Sequence, residues 1–200
     1  MTFARADESL NMEDLTRLVL LAKAGDSESF EDVVKATYLD AYALAYRLTQ
    51  NIDDACDVTQ EAYFRVYKSL KNFRGDSSFS TWLYRIVANC ASTHLTRKGK
   101  RRHYELDEQL VVDRDDDSNP EEKTANSFEW DRIADALAEL PPRLRAVVVL
   151  KDVYDFSHKA IAKELGITEA ATKVRLHRAR KKLREVLFPL RIRGGDDKTV

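Results

Sequence analysis

Arg85, Asn89, Thr93 and Arg97 recur every four residues. On a helix this spacing lines them up as one polar stripe. The stripe runs into a cationic cluster, Arg97, Lys98, Lys100, Arg101 and Arg102. Guanidinium and ammonium groups meet phosphates, while an amide and a hydroxyl can read base edges, so the combination suits a nucleic acid. Asn89 offers both a donor and an acceptor at what reads as an exposed helix position, with Arg85 and Thr93 one turn to either side. Trp82 and Tyr84 add rings on which an unpaired base could stack. The same spacing also belongs to an ordinary amphipathic helix with a solvated polar face, and periodicity does not separate the two.

A second constellation lies near the end of the chain. Ala160-Ile161-Ala162-Lys163-Glu164-Leu165 reads as a short helix, Gly166 as its left-handed stop and Ile167 as the plug of the corner. Thr168 can cap the helix that follows. Thr172, Leu176, Ala179, Leu183 and Leu187 then face inward, and Lys173, His177, Arg178, Arg180, Lys181 and Arg184 face outward. From Lys173 to Arg193 there are nine Lys or Arg against one Glu. This is a helix-turn-helix pattern whose cationic second helix suits a DNA major groove. A helical hairpin with a solvated basic face is the plainer alternative.

The elements that must position these groups are helical. Six glycines and four prolines in 200 residues are few for a turn-rich β chain, and 44% hydrophobic residues suffice for packed cores. Net charge is −1, so bulk charge points to no polyanion, but the charges are segregated along the chain. Leu15, Leu18, Val19 and Ala22 predict a first helix ended by Gly25. Phe30, Val34, Tyr38, Ala41, Ala45 and Leu48 predict a second. Asn51 caps a third, about 52–71, with Ala55, Val58, Ala62 and Val66 inward and Asp54, Asp57, Glu61 and Arg65 on another, solvated face. A Ser near position 78 caps the helix of the polar stripe, whose apolar side holds Phe79, Leu83, Ile86, Val87, Cys90 and Leu95. From Glu105 to Glu122 there are nine acidic residues and one basic, with little apolar periodicity, which predicts a flexible linker. Beyond it, Phe128, Ile133 and Leu137 predict one helix, and Pro142 opens another that contains the strand-like run Val147-Val148-Val149. Cys56 and Cys90 read as buried thiols in a reducing cytoplasm, without spacing for zinc, and no apolar run is long enough to span a membrane.

Phe73-Arg74-Gly75-Asp76-Ser77-Ser78-Phe79-x-Thr81-Trp82-Leu83-Tyr84-Arg85-Ile86-x-x-Asn89 resembles the promoter-melting segment of bacterial sigma factors of the extracytoplasmic-function type. The resemblance covers roughly 15–97 and 127–188. It implies that Arg85, Asn89, Thr93, Trp82, Tyr84 and Arg97 bind the opened −10 strand. Asp54-Ala55-x-Asp57-x-x-Gln60-Glu61-x-x-x-Arg65 is similar to the family's polymerase-docking segment, which makes Asp54, Asp57, Gln60, Glu61 and Arg65 candidate contacts to the clamp helices. Ile161-Ala162, Leu165-Gly166-Ile167, Lys173, Arg175-Leu176 and Arg178-Ala179-Arg180 resemble the module that binds the −35 duplex, implicating Lys173, Val174, His177 and Arg178 in reading it and Arg180 and Lys181 in holding phosphates. The chain departs from the family at Ala170-Ala171-Thr172-Lys173-Val174-Arg175, where Gly-Thr-Val-Lys-Ser-Arg is usual. Val174 can touch a thymine methyl but cannot donate a hydrogen bond, so no −35 sequence carries over from relatives.

The expectation is an all-α protein of two helical domains, 15–97 and 127–188, joined by a flexible acidic linker, 98–126, with tails at 1–14 and 189–200. Its expected partners are core RNA polymerase (clamp helices and flap), promoter DNA and an anti-sigma protein, in the cytoplasm, with no cofactor, metal or catalytic residue and no membrane insertion. The linker reads either as a plain spacer or, by the resemblance, as a segment that threads the polymerase cleft. Three rivals are weighed. A response-regulator output domain would bring an α/β receiver, and residues 1–97 show no alternating strand pattern. An enzyme would set a nucleophile beside a base, and no motif does. A helical-repeat scaffold would show a period of about 34 residues, and none is present.

Overall fold

In a computed structural model the described residues are 12–105 and 125–188. The tails and the acidic run from Asp107 to Glu122 lie outside them, and with them the expectation of a flexible linker. No strand occurs among the described residues, and they divide into two compact helical units.

The first unit holds α1 (Met12–Ala24), α2 (Ser27–Thr49), α3 (Ile52–Ser69) and α4 (Phe79–Glu105). The α1 helix begins three residues before the expected boundary and stops at Gly25, whose φ of +109° takes it out of helical space. Asp26 caps α2, its carboxylate accepting from the Ser29 amide at 3.3 Å. At the other end Gln50 turns left-handed and Asn51 at once caps α3, its Oδ1 accepting from the Asp54 amide at 2.8 Å. That two-residue connection folds α2 and α3 into a tight antiparallel hairpin. The inward side of α3 is as expected, with Ala55, Val58, Ala62 and Val66 all buried. The core of α2 is shifted by one position at Tyr38, which is 39% exposed while Thr37 beside it is buried, hydrogen-bonded to the Val33 carbonyl and the Tyr63 hydroxyl.

A single 3₁₀ turn, Leu70–Asn72, follows α3, and Lys23 Nζ donates to the Phe73 carbonyl at 2.6 Å, tying α1 to the loop before α4. Ser78 caps α4, its Oγ accepting from the Thr81 amide at 3.2 Å. Phe79, Leu83, Val87 and Cys90 are buried as expected; Ile86 and Leu95 are half-buried, and Ala88 and Ala91 join the core. The helix does not end near Arg97. Its backbone continues to Glu105 through the basic cluster, where Arg, Lys and His keep helical propensity in spite of Gly99. Cys90 is buried, and burial pushes its thiol up to about 11, so it stays protonated. Cys56 is only half-buried, contrary to expectation.

The second unit holds α5 (Ala125–Ala138), α6 (Pro142–Val148), α7 (His158–Leu165) and α8 (Glu169–Leu187). Pro142 occupies the first turn of α6, and Val147, Val148, Val149 and Leu150 are wholly buried inside helix, because core packing outweighs their β preference. A wider π turn, Val149–Val153, lets the chain swing toward α7. Arg145 is buried too, its Nη1 directed at the Leu137 and Ala138 carbonyls at the end of α5, and burial lowers it to about 10, so the cation persists at neutral pH. Ile133, expected inward, is 37% exposed. Between α7 and α8 the corner follows the sequence closely. Gly166 sits at φ +62°, the Ile167 amide returns to the Ala162 carbonyl at 2.9 Å, and Thr168 Oγ1 accepts from the Ala171 amide at 3.1 Å.

A Cβ at Gly166 would meet nothing within 4 Å, so only backbone strain opposes one. Gly166→Ala is expected to lower the stability of this unit by about 1 kcal/mol and Gly166→Asn by less, since Asn tolerates the left-handed region. Thermal unfolding of the two variants checks the order; equal or larger losses from Asn would mean that space, not conformation, selects glycine.

Candidate nucleic-acid interface

Two polar bridges join α3 to α4 in the first unit. Asp54 is only 9% exposed, and its carboxylate takes two partners from α4, His94 Nε2 at 3.0 Å and Lys98 Nζ at 2.6 Å. Burial alone would raise its pKa, but the hydrogen bonds from Lys98 and His94 win, and the carboxyl is held below its usual range. Asp54 therefore does not share the outer stripe with Asp57, Gln60 and Glu61, which are exposed. The first turn of α3 faces α4, which corrects the expectation that Asp54 lies on a solvated face.

The second bridge lies about three turns further along α3. Arg65 Nε donates to Glu61 Oε1 at 2.7 Å, and the same guanidinium reaches Asn89 Oδ1 through Nη1 at 3.0 Å. Arg65, expected among the polymerase-facing residues, is thus half-buried against the polar stripe of α4. Asn89 is correspondingly half-buried rather than exposed, and its carbonyl is already engaged. The Thr93 hydroxyl donates back to the Asn89 backbone carbonyl at 2.9 Å. Arg97 is exposed. Arg85 Nε is buried without a hydrogen-bond partner among the described residues, and such a donor is expensive to leave unmade, by about 1–3 kcal/mol, unless a ligand supplies an acceptor.

The two rings expected to stack on bases go different ways. Trp82 packs with Phe73 and Phe79, ring centroids 5.0 and 5.8 Å away, in a cluster that closes the loop before α4. Tyr84 is half-buried and its hydroxyl donates to Asp40 of α2 at 3.4 Å.

In the second unit Lys173, Val174, His177, Arg178, Lys181 and Arg184 are exposed along α8, opposite the buried Thr172, Leu176 and Ala179. Arg180 differs from its neighbours. It grips Asp152 of the π turn with two hydrogen bonds, 2.9 Å through Nε and 2.5 Å through Nη2. The expectation that it is free to hold phosphate is not met, because Asp152 already fills its fork.

Sequence reasoning missed the partners rather than the stripe. His94 and Lys98 stand at i and i+4, which signals a shared face, but nothing local announces an acidic group 40 residues earlier. Asp152 likewise gave no signal, since the turn that presents it is a π turn.

Residues 33–101 match the family described as Sigma-70 region 2, and 130–183 match Sigma-70, region 4. The chain is 32% identical over 180 residues to the ECF RNA polymerase sigma factor SigW of Bacillus subtilis, covering 84% of this chain and 94% of that one. It is 30% identical over 192 residues to the RNA polymerase sigma-H factor of Pseudomonas aeruginosa, covering 90% and 97%. The chain belongs to the ECF sigma factors. With SigE of Mycolicibacterium smegmatis identity is 36% over 159 residues, a match that covers 80% of this chain and spans 62% of that relative's length. Among solved structures, the sigma factor RpoE of Bartonella quintana in complex with the anti-sigma factor NepR has the same fold, with a TM-score of 0.58 at 20% identity over 82% of this chain and 99% of that one. CnrH in complex with the cytosolic domain of CnrY gives 0.53 at 25% identity over 86% and 95%. As an ECF sigma factor the protein acts with RNA polymerase in promoter-specific transcription. The region 2 match holds both polar bridges, and the region 4 match holds the helix-turn-helix. No helix among the described residues is long and apolar enough to cross a membrane, and none of them form a cluster of potential metal ligands.

Asp54 supplies an acid-sensitive link between α3 and α4. A carboxyl held below its ordinary value contributes stability that is present above about pH 4 and is lost as pH falls through the lowered value. Asp54→Asn should therefore cost about 1–3 kcal/mol at neutral pH and remove part of the acid lability of the first unit below pH ~4. Denaturant unfolding from pH 7 to about pH 3 measures this; parallel curves for both proteins would exclude Asp54 as the titrating group.

Proposed function

We propose that this sigma factor reads the −10 element as a melted strand along α4 and the −35 element as duplex along α8. The carrying observation is the outer face of α8. Lys173, Val174, His177 and Arg178 project from the second helix of a helix-turn-helix and make no hydrogen bond or ion pair among the described residues, which leaves all four for the major groove. Lys181, 4.0 Å from Glu185, holds phosphate. Val174, 50% exposed, gives the −35 readout an apolar contact where a hydroxyl is usual in the family.

On α4, Asn89 pairs with an extruded base through its free amide hydrogens, and Arg85 and Arg97 hold the adjoining phosphates. Trp82 supports the loop before the helix through its ring cluster, and Tyr84 braces α4 on α2. Asp57, Gln60 and Glu61, exposed on α3, face the polymerase clamp, and the second unit meets the flap. RpoE is found in complex with an anti-sigma factor and CnrH with a cytosolic domain, which supports an inhibitory protein partner here and work in the cytoplasm. Catalysis on this reading belongs wholly to the polymerase.

Asn89→Ala should leave a folded protein, destabilised by about 0.5–1.5 kcal/mol through loss of the Arg65 hydrogen bond, that assembles with core but opens promoters poorly. Permanganate footprinting on duplex and pre-melted templates measures the defect. A shortfall confined to duplex means that Asn89 drives opening, and one on both means that it reads a base. Wild-type footprints on both would return Asn89 to a structural role.

For the −35 readout, Arg178→Ala should flatten discrimination among duplex sequences. Lys181→Ala should weaken all of them evenly and lower the salt slope by about 1. Equal shifts on every sequence from both variants would make Arg178 a phosphate contact.

A further inference from the structure

Arginine carries only donors, so the end of the Asn89 amide that lies 3.0 Å from Arg65 Nη1 must be the oxygen. This settles an orientation that distance alone leaves ambiguous. The opposite end, Nδ2, donates to nothing among the described residues. Arg65 is itself fixed, because its Nε is held by Glu61 at 2.7 Å on the same face of α3 and the guanidinium is planar. Glu61, Arg65 and Asn89 therefore form a chain of three groups, each limiting the rotation of the next. An asparagine free to flip could present donor or acceptor to a base with equal ease. One whose oxygen is engaged presents its NH₂.

We propose that Arg65 is a specificity-positioning residue: by holding the Asn89 oxygen it turns the amide into a donor, so that Asn89 favours a base offering an acceptor at the atom it faces. The inference rests on the reading of Asn89 as a contact to the melted −10 strand and extends it to which chemical edge is selected. Arg65 then acts on DNA through Asn89 and does not touch it. Lysine at 65 keeps the charge and can still pair with Glu61, but it has no rigid fork to reach both partners in one geometry.

The test uses fully assembled holoenzyme, so that affinity for core does not enter, and single-stranded −10 oligonucleotides carrying each of the four bases at each position. Binding is read by fluorescence anisotropy for wild type, Asn89→Ala, Arg65→Lys, Arg65→Met and the double variant Arg65→Met/Asn89→Ala, with circular dichroism to establish folding. Asn89→Ala should erase the base preference at one position. Arg65→Lys and Arg65→Met should each reduce that same preference by roughly three- to tenfold, the value of one oriented hydrogen bond, and leave other positions unchanged. The double variant should equal Asn89→Ala, because the two residues act through one contact. If the Arg65 variants keep the full preference that Asn89→Ala loses, Arg65 is a packing or polymerase residue and the inference fails alone. If Asn89→Ala itself keeps the preference, the base-reading role of Asn89 fails, and the inference falls with it.

Discussion

The first unit depends on charge neutralised between two helices. α4 has an apolar side that packs and a polar side that carries the stripe, and a helix packed by its apolar side alone keeps freedom to roll. Asp54 removes that freedom near one end of α3 by taking His94 and Lys98 together. Arg65 removes it near the other by reaching Asn89. A buried ion pair is weak evidence for stability, since desolvation offsets much of the attraction, but it specifies register well. One ion-paired bridge and one hydrogen bond, some distance apart along the helix, fix both its rotation and its axial position.

The same seam bears on how the two surfaces of this unit communicate. Asp57, Gln60 and Glu61 are exposed on α3, and Arg65, one turn beyond Glu61 and salt-bridged to it, is half-buried. On the proposed reading, a polymerase contact at Glu61 would compete for the carboxylate that holds Arg65. The helix that meets protein and the helix that meets DNA are then linked through two side chains, with no need for a large movement of either.

How much was legible in the sequence can be traced residue by residue. Caps and stops were legible, because Asn51, Ser78, Gly166 and Thr168 act on neighbours within a few positions, and each forms the local contact its chemistry suggests. Ala55, Val58, Ala62 and Val66 of α3 and Thr172, Leu176 and Ala179 of α8 were legible for the same reason, since a helix's period is local, whereas Leu183 and Leu187, expected inward, are half-buried near the end of α8. What escaped was pairing across long separations. Asp54, read as part of a solvated stripe, is buried because α4 lies over the first turn of α3. Arg180, read as a phosphate contact, is consumed by Asp152, which a π turn rotates toward α8. The polar periodicity located the stripe on α4 correctly but could not tell that one member, Asn89, was already half-spent on Arg65.

That distinction matters for how a charged stripe is read in general. Spacing ranks Asp54, Asp57, Glu61 and Arg65 as equals, and likewise Lys173, Arg178, Arg180 and Lys181. Partner geometry does not. In each group Asp54, Arg65 with its partner Glu61, and Arg180 are satisfied within their own unit, and Asp57, Lys173, Arg178 and Lys181 remain for an external partner. A side chain that already has a complementary charge within 3 Å would have to break that contact to take a phosphate or a protein carboxylate, so its net gain on binding is small. The surfaces proposed to face polymerase and DNA are therefore narrower than the charge pattern implies. The satisfied residues serve them indirectly, by holding α3, α4 and α8 at the rotation that points the remaining groups outward.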